Sequence, residues 1–427
     1  MSTTPISPDA ARQLRNLHTL LEVSKAMARE VHLDDLLQVI MEKTTEVMEA
    51  DRSSLFLYDE ARGELWSKIA QGVELREIRF PVGVGIAGDV AKTMTVANIL
   101  DAHQDPRFNP DFDKQTNYRT RSVLCLPLLN ADGKLIGVIQ TLNKKNGEGF
   151  NKEDESLLEA LAAHSVVALE RARLIEAYVE KQRMEETLKL AHDIQMSMVP
   201  KIFPPFPERS EFDLYATIEP AREVGGDFYD FFLTDDDRLC FAIGDVSGKG
   251  VPASLFMAVT KTLLRVTAAK LRNPKAVLSE LNNELCRDNE TGMFVTIFYG
   301  VLNIHTGVVE YSNGGHNPPY ILSSSGAVSA VEGTQGMALG VLPNVPYHAK
   351  QTQLRWGESL FLYTDGLTEA MDTTANLFSE HRLQVCLQKM AKATPADLTR
   401  SVVRMVRQFA AGAEQSDDIT ALAIRYR

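Results

Sequence analysis

Apolar positions recur every three or four residues through LHTLLEVSKAMAREVHLDDLLQVIMEKTTEVM, and this spacing predicts helices. At SSLFLYD the spacing changes to the alternation of a strand. SVLCLPLL and KLIGVIQTLN read as paired strands, with NADG between them as the turn. A second helical pattern begins at DESLLEALAAHSVVALE and runs without Gly or Pro until Pro200. VPKIFPPFP (199–207) ends it. Beyond lie the strand-like segments FDLYATI, DRLCFAIGD, FVTIFYGVLNI, VVEYSN, ESLFLYTDG and DITALAIRY, interrupted by helical blocks at 251–271 and 379–411. Strand pairs with few crossover helices predict antiparallel sheets covered by helices, an α+β arrangement. The pattern divides the chain into a tail (1–13), a first domain (14–172), a helical linker (173–198) and a last domain (199–427).

The linker carries a weak heptad stripe: Leu174, Ala177, Lys181, Met184, Leu188, Ala191, Gln195 and Met198. Polar residues interrupt it at 181 and 195. Two readings stand, a parallel coiled coil that makes a homodimer, and a helix that lies on its own domain.

Composition narrows the function classes. The 427 residues are 44% apolar and 24% charged, as in ordinary globular domains. A net charge of −12 gives no electrostatic case for nucleic acid or an anionic membrane as partner. No apolar run approaches the ~18 residues of a membrane span, and MSTTPISPDAARQ lacks a signal-peptide pattern. A cytoplasmic location is therefore expected. Cys125, Cys240, Cys286 and Cys386 share no metal-ligand spacing, and three sit in apolar segments, so buried thiols are expected.

The candidate chemistry begins at CFAIGDVSGKGVPASLF (240–256). A nucleotide P-loop needs G-x-x-x-x-G-K-[ST], whose hydroxyl ligates magnesium. Here Gly244 and Gly248 are too close, and Lys249 is followed by Gly250. What remains is a carboxylate, Asp245, at the end of a strand beside glycines that allow close approach. The feature recurs at Asp227 in VGGDFYDFF, at Asp365 in LFLYTDGLTEA, and at Asp417 and Asp418 in QSDDITALAI. A single strand-end Asp is most often a turn or cap residue. Several in one domain point instead to hard divalent cations, whose charge removes the repulsion among the carboxylates. With no His or Cys cluster beside them, magnesium or manganese is favoured over zinc.

EVGGDFYD, GDVSGKGVPASL, NGGHNPPY, LYTDGLTEA and SDDITAL, in this order over about 199–427, resemble the PPM-type metal-dependent Ser/Thr phosphatases. The similarity is to their bacterial branch of sporulation stage II and sigma-factor-regulating enzymes. It implies a sandwich of two antiparallel sheets flanked by helices, with two Mn2+ or Mg2+ ions at one end. By motif, Asp245 would bridge both ions and the Val246 carbonyl would help bind one. Asp365 and Asp417 would hold the second ion, and Asp227 the first. Asp418 is the secondary member of the acidic pair. Two ions roughly 3.5–4 Å apart suit in-line hydrolysis of a phosphomonoester. Eukaryotic relatives place a His after the bridging Asp. This chain has Ser247 and Lys249 nearby, so leaving-group protonation has no assigned residue. His316 is open to a loop-structuring or a catalytic role. The resemblance further implies a phosphorylated, STAS-like anti-anti-sigma protein as substrate.

In the first domain, GIAGDVAKTMTVANILDAHQDPRFNPDFDKQTNYRTRSVLCLPL (85–128) resembles the GAF domains of cyclic-nucleotide phosphodiesterases. NKKNGEGFNKEDE supplies the signature residues Asn143, Lys144, Phe150, Asp154 and Glu155, with Lys144 and Asp154 expected to pair and loop 98–122 expected to cover a pocket. Ser54, Asp89, Ala97, Thr116 and Thr120 are the candidate pocket contacts. The ligand is either a cyclic nucleotide (cAMP or cGMP), or the fold serves dimerisation with another ligand or none. Two competing functions also stand: a diguanylate cyclase, suggested by GGDFYD, and a catalytically inactive scaffold.

Overall fold

In the first part of the chain, helices α1 (Pro8–Arg29) and α2 (Leu33–Val47) lead into strands β1 (Ala50–Asp59), β2 (Glu64–Ser67) and β3 (Ile78–Pro81). Then come α3 (Gly85–Thr93), β4 (Ala97–Ile99), α4 (Asp111–Thr116), β5 (Val123–Leu129), β6 (Leu135–Lys144) and α5 (Lys152–Met198). The computed structural model describes residues 8–67, 78–116, 118–235, 237–334 and 336–427, and divides into the units Met1–Arg183 and Met184–Arg427. The expected tail therefore falls partly outside the described residues, and α1 starts at Pro8.

The six strands form one antiparallel sheet in the order β3-β2-β1-β6-β5-β4. Both faces are covered, which is why β5 reads as a continuous apolar run. Leu55, Leu57, Leu124, Leu126 and Ile139 pack under α1, α2 and α5, while Phe56, Val123, Cys125 and Val138 pack under α3. The NADG turn closes the β5–β6 hairpin, with Asn130 Oδ1 accepting the backbone N–H groups of Asp132 and Lys134.

The second unit contains β7 (Phe212–Glu219), β8 (Phe228–Asp235), β9 (Arg238–Val246), α6 (Val251–Lys270) and α7 (Pro274–Cys286). It continues with β10 (Val295–Asn303), β11 (Val308–Gly314), β12 (Tyr320–Leu322), β13 (Val328–Ala330), β14 (Lys350–Gln353) and β15 (Ser359–Tyr363). The chain ends with α8 (Ser379–Lys389), α9 (Pro395–Ala410) and β16 (Ile419–Tyr426). Two five-stranded antiparallel sheets result, β14-β11-β10-β9-β8 and β13-β12-β15-β16-β7. Their inner faces share a core that includes Phe241, Ile243, Phe298, Leu362 and Leu422. Outer residues of the first sheet, Cys240 and Ala242 among them, pack on α6 and α7, and those of the second on α8 and α9. The fold is the α+β sandwich with outer helices. The helical block expected at 379–411 is two helices.

The α5 stripe has two fates. Leu174 and Met184 are exposed, at 71% and 66%, whereas Gln195 is 5% exposed and turned into the second unit. All four cysteines are free thiols, and Cys125, Cys240 and Cys386 are buried. Among the described residues no helix is long and apolar enough to cross a membrane.

Candidate metal centre

Strand pairing decides which carboxylates meet. In the first sheet Phe228 pairs with Gly244, so Asp227, just before β8, lies beside Asp245 near the end of β9. In the second sheet Tyr363 pairs with Ala421, which places Asp365, after β15, near Asp417 and Asp418, before β16. Hydrogen bonds join the two sheets at this end. Thr364 Oγ1 donates to Asp227 Oδ2 at 2.7 Å, and Thr420 Oγ1 donates to the same oxygen. Asp418 Oδ2 accepts the Gly226 N–H at 2.9 Å, and its Oδ1 accepts the Ala221 N–H at 2.8 Å.

The glycines in these motifs are space-limited. A Cβ on Gly225 would stand 1.8 Å from Asp418 Oδ2, one on Gly226 2.6 Å from the Val246 carbonyl oxygen, and one on Gly366 2.0 Å from the Asp418 carbonyl. Such contacts forbid any side chain. Gly225 and Gly226 are thus wedged between two other motifs and do not form the exposed hairpin tip that a diguanylate cyclase would need.

Electrostatics set the character of the site. Burial, followed by the charges of Asp245 and Asp418, raises the Asp227 carboxyl well above its usual range. Burial together with Asp365, Asp417 and Asp418 pushes Asp245 up to about 7. Asp365 is raised by burial, Glu369 and Asp417. Carboxylates that mutually oppose ionisation are a sink for positive charge. Among the described residues no three or more His, Cys, Asp or Glu side chains gather as ligands of a single ion. Carboxylate and carbonyl oxygens, where they serve as ligands, suit magnesium or manganese, which take hard oxygen donors and keep several waters. The candidate donors are all hard oxygens: Asp227, Asp245, the Val246 carbonyl, Asp365 and Asp417. Asp418 differs, since its oxygens are spent on backbone N–H groups, and it shapes the loop before Asp227.

His316 is a structural residue. Its ring is 7% exposed, with Nδ1 2.9 Å from Thr296 Oγ1 and Nε2 3.1 Å from the Tyr363 carbonyl. The carbonyl can only accept, so Nε2 carries the proton and the Thr296 hydroxyl donates to Nδ1. Burial lowers its pKa from 6.5 to about 4. The folded-state value is depressed, so the neutral ring contributes stability above pH 6.5 that is lost as pH falls towards 4. Chemical denaturation at pH 7 and pH 4.5 should show wild type losing on the order of 3 kcal/mol more than His316→Asn over this interval. Ser247 is likewise engaged: its Oγ accepts the Phe294 N–H at 2.9 Å.

Sequence reading missed Thr364, Thr420, Glu369 and Gln195. The two threonines stand inside the quoted motifs, and their hydroxyls gave the only signal. Along the sequence Gln195 interrupts the heptad stripe. Its Nε2 donates to the Gly225 carbonyl at 2.7 Å and its Oε1 accepts the Gly225 N–H at 3.2 Å, so α5 holds the glycine pair in place. Gln195→Ala should leave both buried groups unpaired and cost about 1–3 kcal/mol in urea denaturation.

The first unit's signature residues bond to the chain itself. Lys144 Nζ lies 2.9 Å from Asp154 Oδ1 and donates to the Met48 carbonyl. Asn143, at φ 54, accepts the Arg121 N–H and donates to Tyr118 Oη and the Arg119 carbonyl, which fixes the strand entrance. Phe150 is buried in the core under α5, and Glu155 accepts from Asn98. Among the pocket candidates, Asp89 pairs with Arg107 at 2.7 Å, Thr120 Oγ1 donates to Asp113, Ala97 is buried in β4, and Ser54 is half-buried in β1. Thr116 closes α4, and its side chain lies outside the described atoms.

Comparison with known proteins gives two family matches. Residues 235–427 match the family of stage II sporulation protein E (SpoIIE), and residues 32–169 match the GAF domain. Protein IcfG of Synechocystis sp. is 31% identical over 56% of this chain and 41% of its own length. The probable 3',5'-cyclic phosphodiesterase pde-5 of Caenorhabditis elegans is 34% identical over 44% of this chain and 27% of its own. The chain thus spans less than half the length of these curated relatives. The solved SiaA-PP2C domain of Pseudomonas aeruginosa covers 58% of this chain and 99% of its own, at 21% identity and a TM-score of 0.51, and shares the fold.

Proposed function

We propose, from the premise that this chain joins a GAF domain to a SpoIIE-type domain of the PPM phosphatase family, that the second unit hydrolyses phosphoserine or phosphothreonine in a protein. The observation that carries the reading is the shared electrostatic burden of Asp227, Asp245 and Asp365, with Asp245 pushed up to about 7. Asp245 and the Val246 carbonyl, with Asp227 on one side and Asp365 and Asp417 on the other, would hold two Mn2+ or Mg2+ ions. When bound, the ions supply charge neutralisation and an activated water for in-line displacement at phosphorus. The chain's own residues prepare the site. Thr364 and Thr420 orient Asp227, Asp418 shapes the approach to Asp227, and His316 ties β10 to the end of β15 behind the carboxylates.

The family match supports, as substrate, a phosphorylated, STAS-like anti-anti-sigma protein in a partner-switching pathway, with the cytoplasm as the proposed setting. The GAF unit would take a small ligand, cAMP or cGMP, and regulate hydrolysis, with α5 pairing in a homodimer. The phosphodiesterase relative supports this ligand class. Hydrolysis of p-nitrophenyl phosphate with Mn2+, abolished by chelation, tests the activity. No metal-dependent turnover from the full chain would reject it and leave the inactive scaffold. A thermal shift of the full chain with millimolar cAMP or cGMP tests the ligand class.

A further inference from the structure

Lys249 lies between Gly248 (φ +85) and Gly250 (φ +77), at the apex of the bend between β9 and α6. Two left-handed glycines turn the chain so that the lysine crosses to the opposite sheet. There its Nζ lies 3.1 Å from Asp417 Oδ2 and donates to the Ser416 carbonyl. Asp417 is one of the charges that raise both Asp245 and Asp365. The bend after one metal-binding strand thus delivers an ammonium to the carboxylate cluster from within the chain.

We propose that Lys249 is a tethered counter-cation that holds Asp417 in the metal-free protein and must leave it for the second divalent ion to bind. The idea rests on the metal-dependent reading above. Metal loading at Asp417 is then an exchange of an ammonium for an ion. The pair bridges the end of β9 and the start of β16, so it also fastens the two sheets when no metal does. At 42% and 38% exposure the two side chains are within reach of solvent, which allows release without unfolding. The pair is correspondingly weak, and its competition amounts to a small factor in affinity.

The test compares wild type with Lys249→Met and Lys249→Arg as full chains. Calorimetric titration with Mn2+ should give Lys249→Met an affinity about two- to fivefold tighter than wild type at the weaker of the two sites, the size expected from losing an exposed ion pair. Lys249→Arg, which keeps the charge, should stay near wild type. In chelator, Lys249→Met should melt below wild type, and saturating Mn2+ should remove the difference, because a ligand that binds more tightly stabilises more. Unchanged or weaker Mn2+ binding by Lys249→Met would overturn the proposal, as would equal melting in chelator. Weaker binding would assign Lys249 to supporting the ion. A higher KM for p-nitrophenyl phosphate with unaltered Mn2+ affinity would assign it to the substrate phosphate. Absence of Mn2+ binding by wild type would instead reject the metal-dependent reading itself.

Discussion

Asp245→Asn should lower Mn2+-dependent hydrolysis of p-nitrophenyl phosphate by on the order of 10²–10³-fold or more, the scale of losing one preorganised electrostatic group. Asp245 is the carboxylate that burial and the charges of Asp365, Asp417 and Asp418 in the facing sheet raise, while a hydrogen bond with Asp227 in its own sheet opposes them. Replacing it removes the proposed shared ligand while leaving a side chain of the same size. The folded protein should tolerate the change. Asp245 is raised to about 7 against 3.8, so in the metal-free protein its ionisation lowers stability as pH rises through that interval. At pH 8 in chelator, Asp245→Asn should therefore melt at or above wild type. Loss of turnover with retained or improved apo stability would mark a metal-site role. Equal activity of the two proteins would remove Asp245 from the chemistry.

The second large effect lies at Asp230, in β8 three residues beyond Asp227. Its side chain is fully buried, with Lys261 Nζ 2.7 Å from Oδ1 and the Arg265 guanidinium forked across both oxygens. Lys261 is itself nearly buried, and burial lowers its pKa. Asp230→Asn strips the carboxylate and strands that ammonium, which should cost about 3–5 kcal/mol in urea denaturation. Arg265 is half exposed and can turn to solvent. The Asp230→Asn/Lys261→Met pair should recover much of the loss, because the stranded charge is gone. A single-variant loss under about 1 kcal/mol would place the cluster among ordinary surface pairs. The cluster anchors α6 to β8, so the same variant should also weaken Mn2+ binding at the bend that opens α6.

Much of this was legible along the chain. Apolar runs marked β9, β10, β15 and β16, because a strand between a core and a helix layer is buried on both faces and reads as nearly continuously apolar, while β1 showed itself by the alternation in SSLFLYD. The aspartates were visible because each stands at one end of a strand: Asp245 and Asp365 where one stops, Asp227, Asp417 and Asp418 where one begins. Other parts left weaker traces. α7 was overlooked: its cap, Asn273 before Pro274, is local, and its apolar face is short. β12, β13 and β14 are three or four residues long, too short to establish a period. The division of labour between Asp417 and Asp418 depends on partners nearly two hundred residues away, at Ala221 and Gly226, which no local pattern encodes. Gln195 is the sharpest case. As a polar residue in an apolar stripe it looked like a defect, yet its two bonds to Gly225 are the reason it is there.

The GAF signature, Asn143 through Glu155, is occupied almost entirely by bonds within its own unit, to the 118–122 backbone, to Met48 and to Asn98. In this chain the string builds the scaffold, and selection of any small molecule by this unit falls to residues outside it.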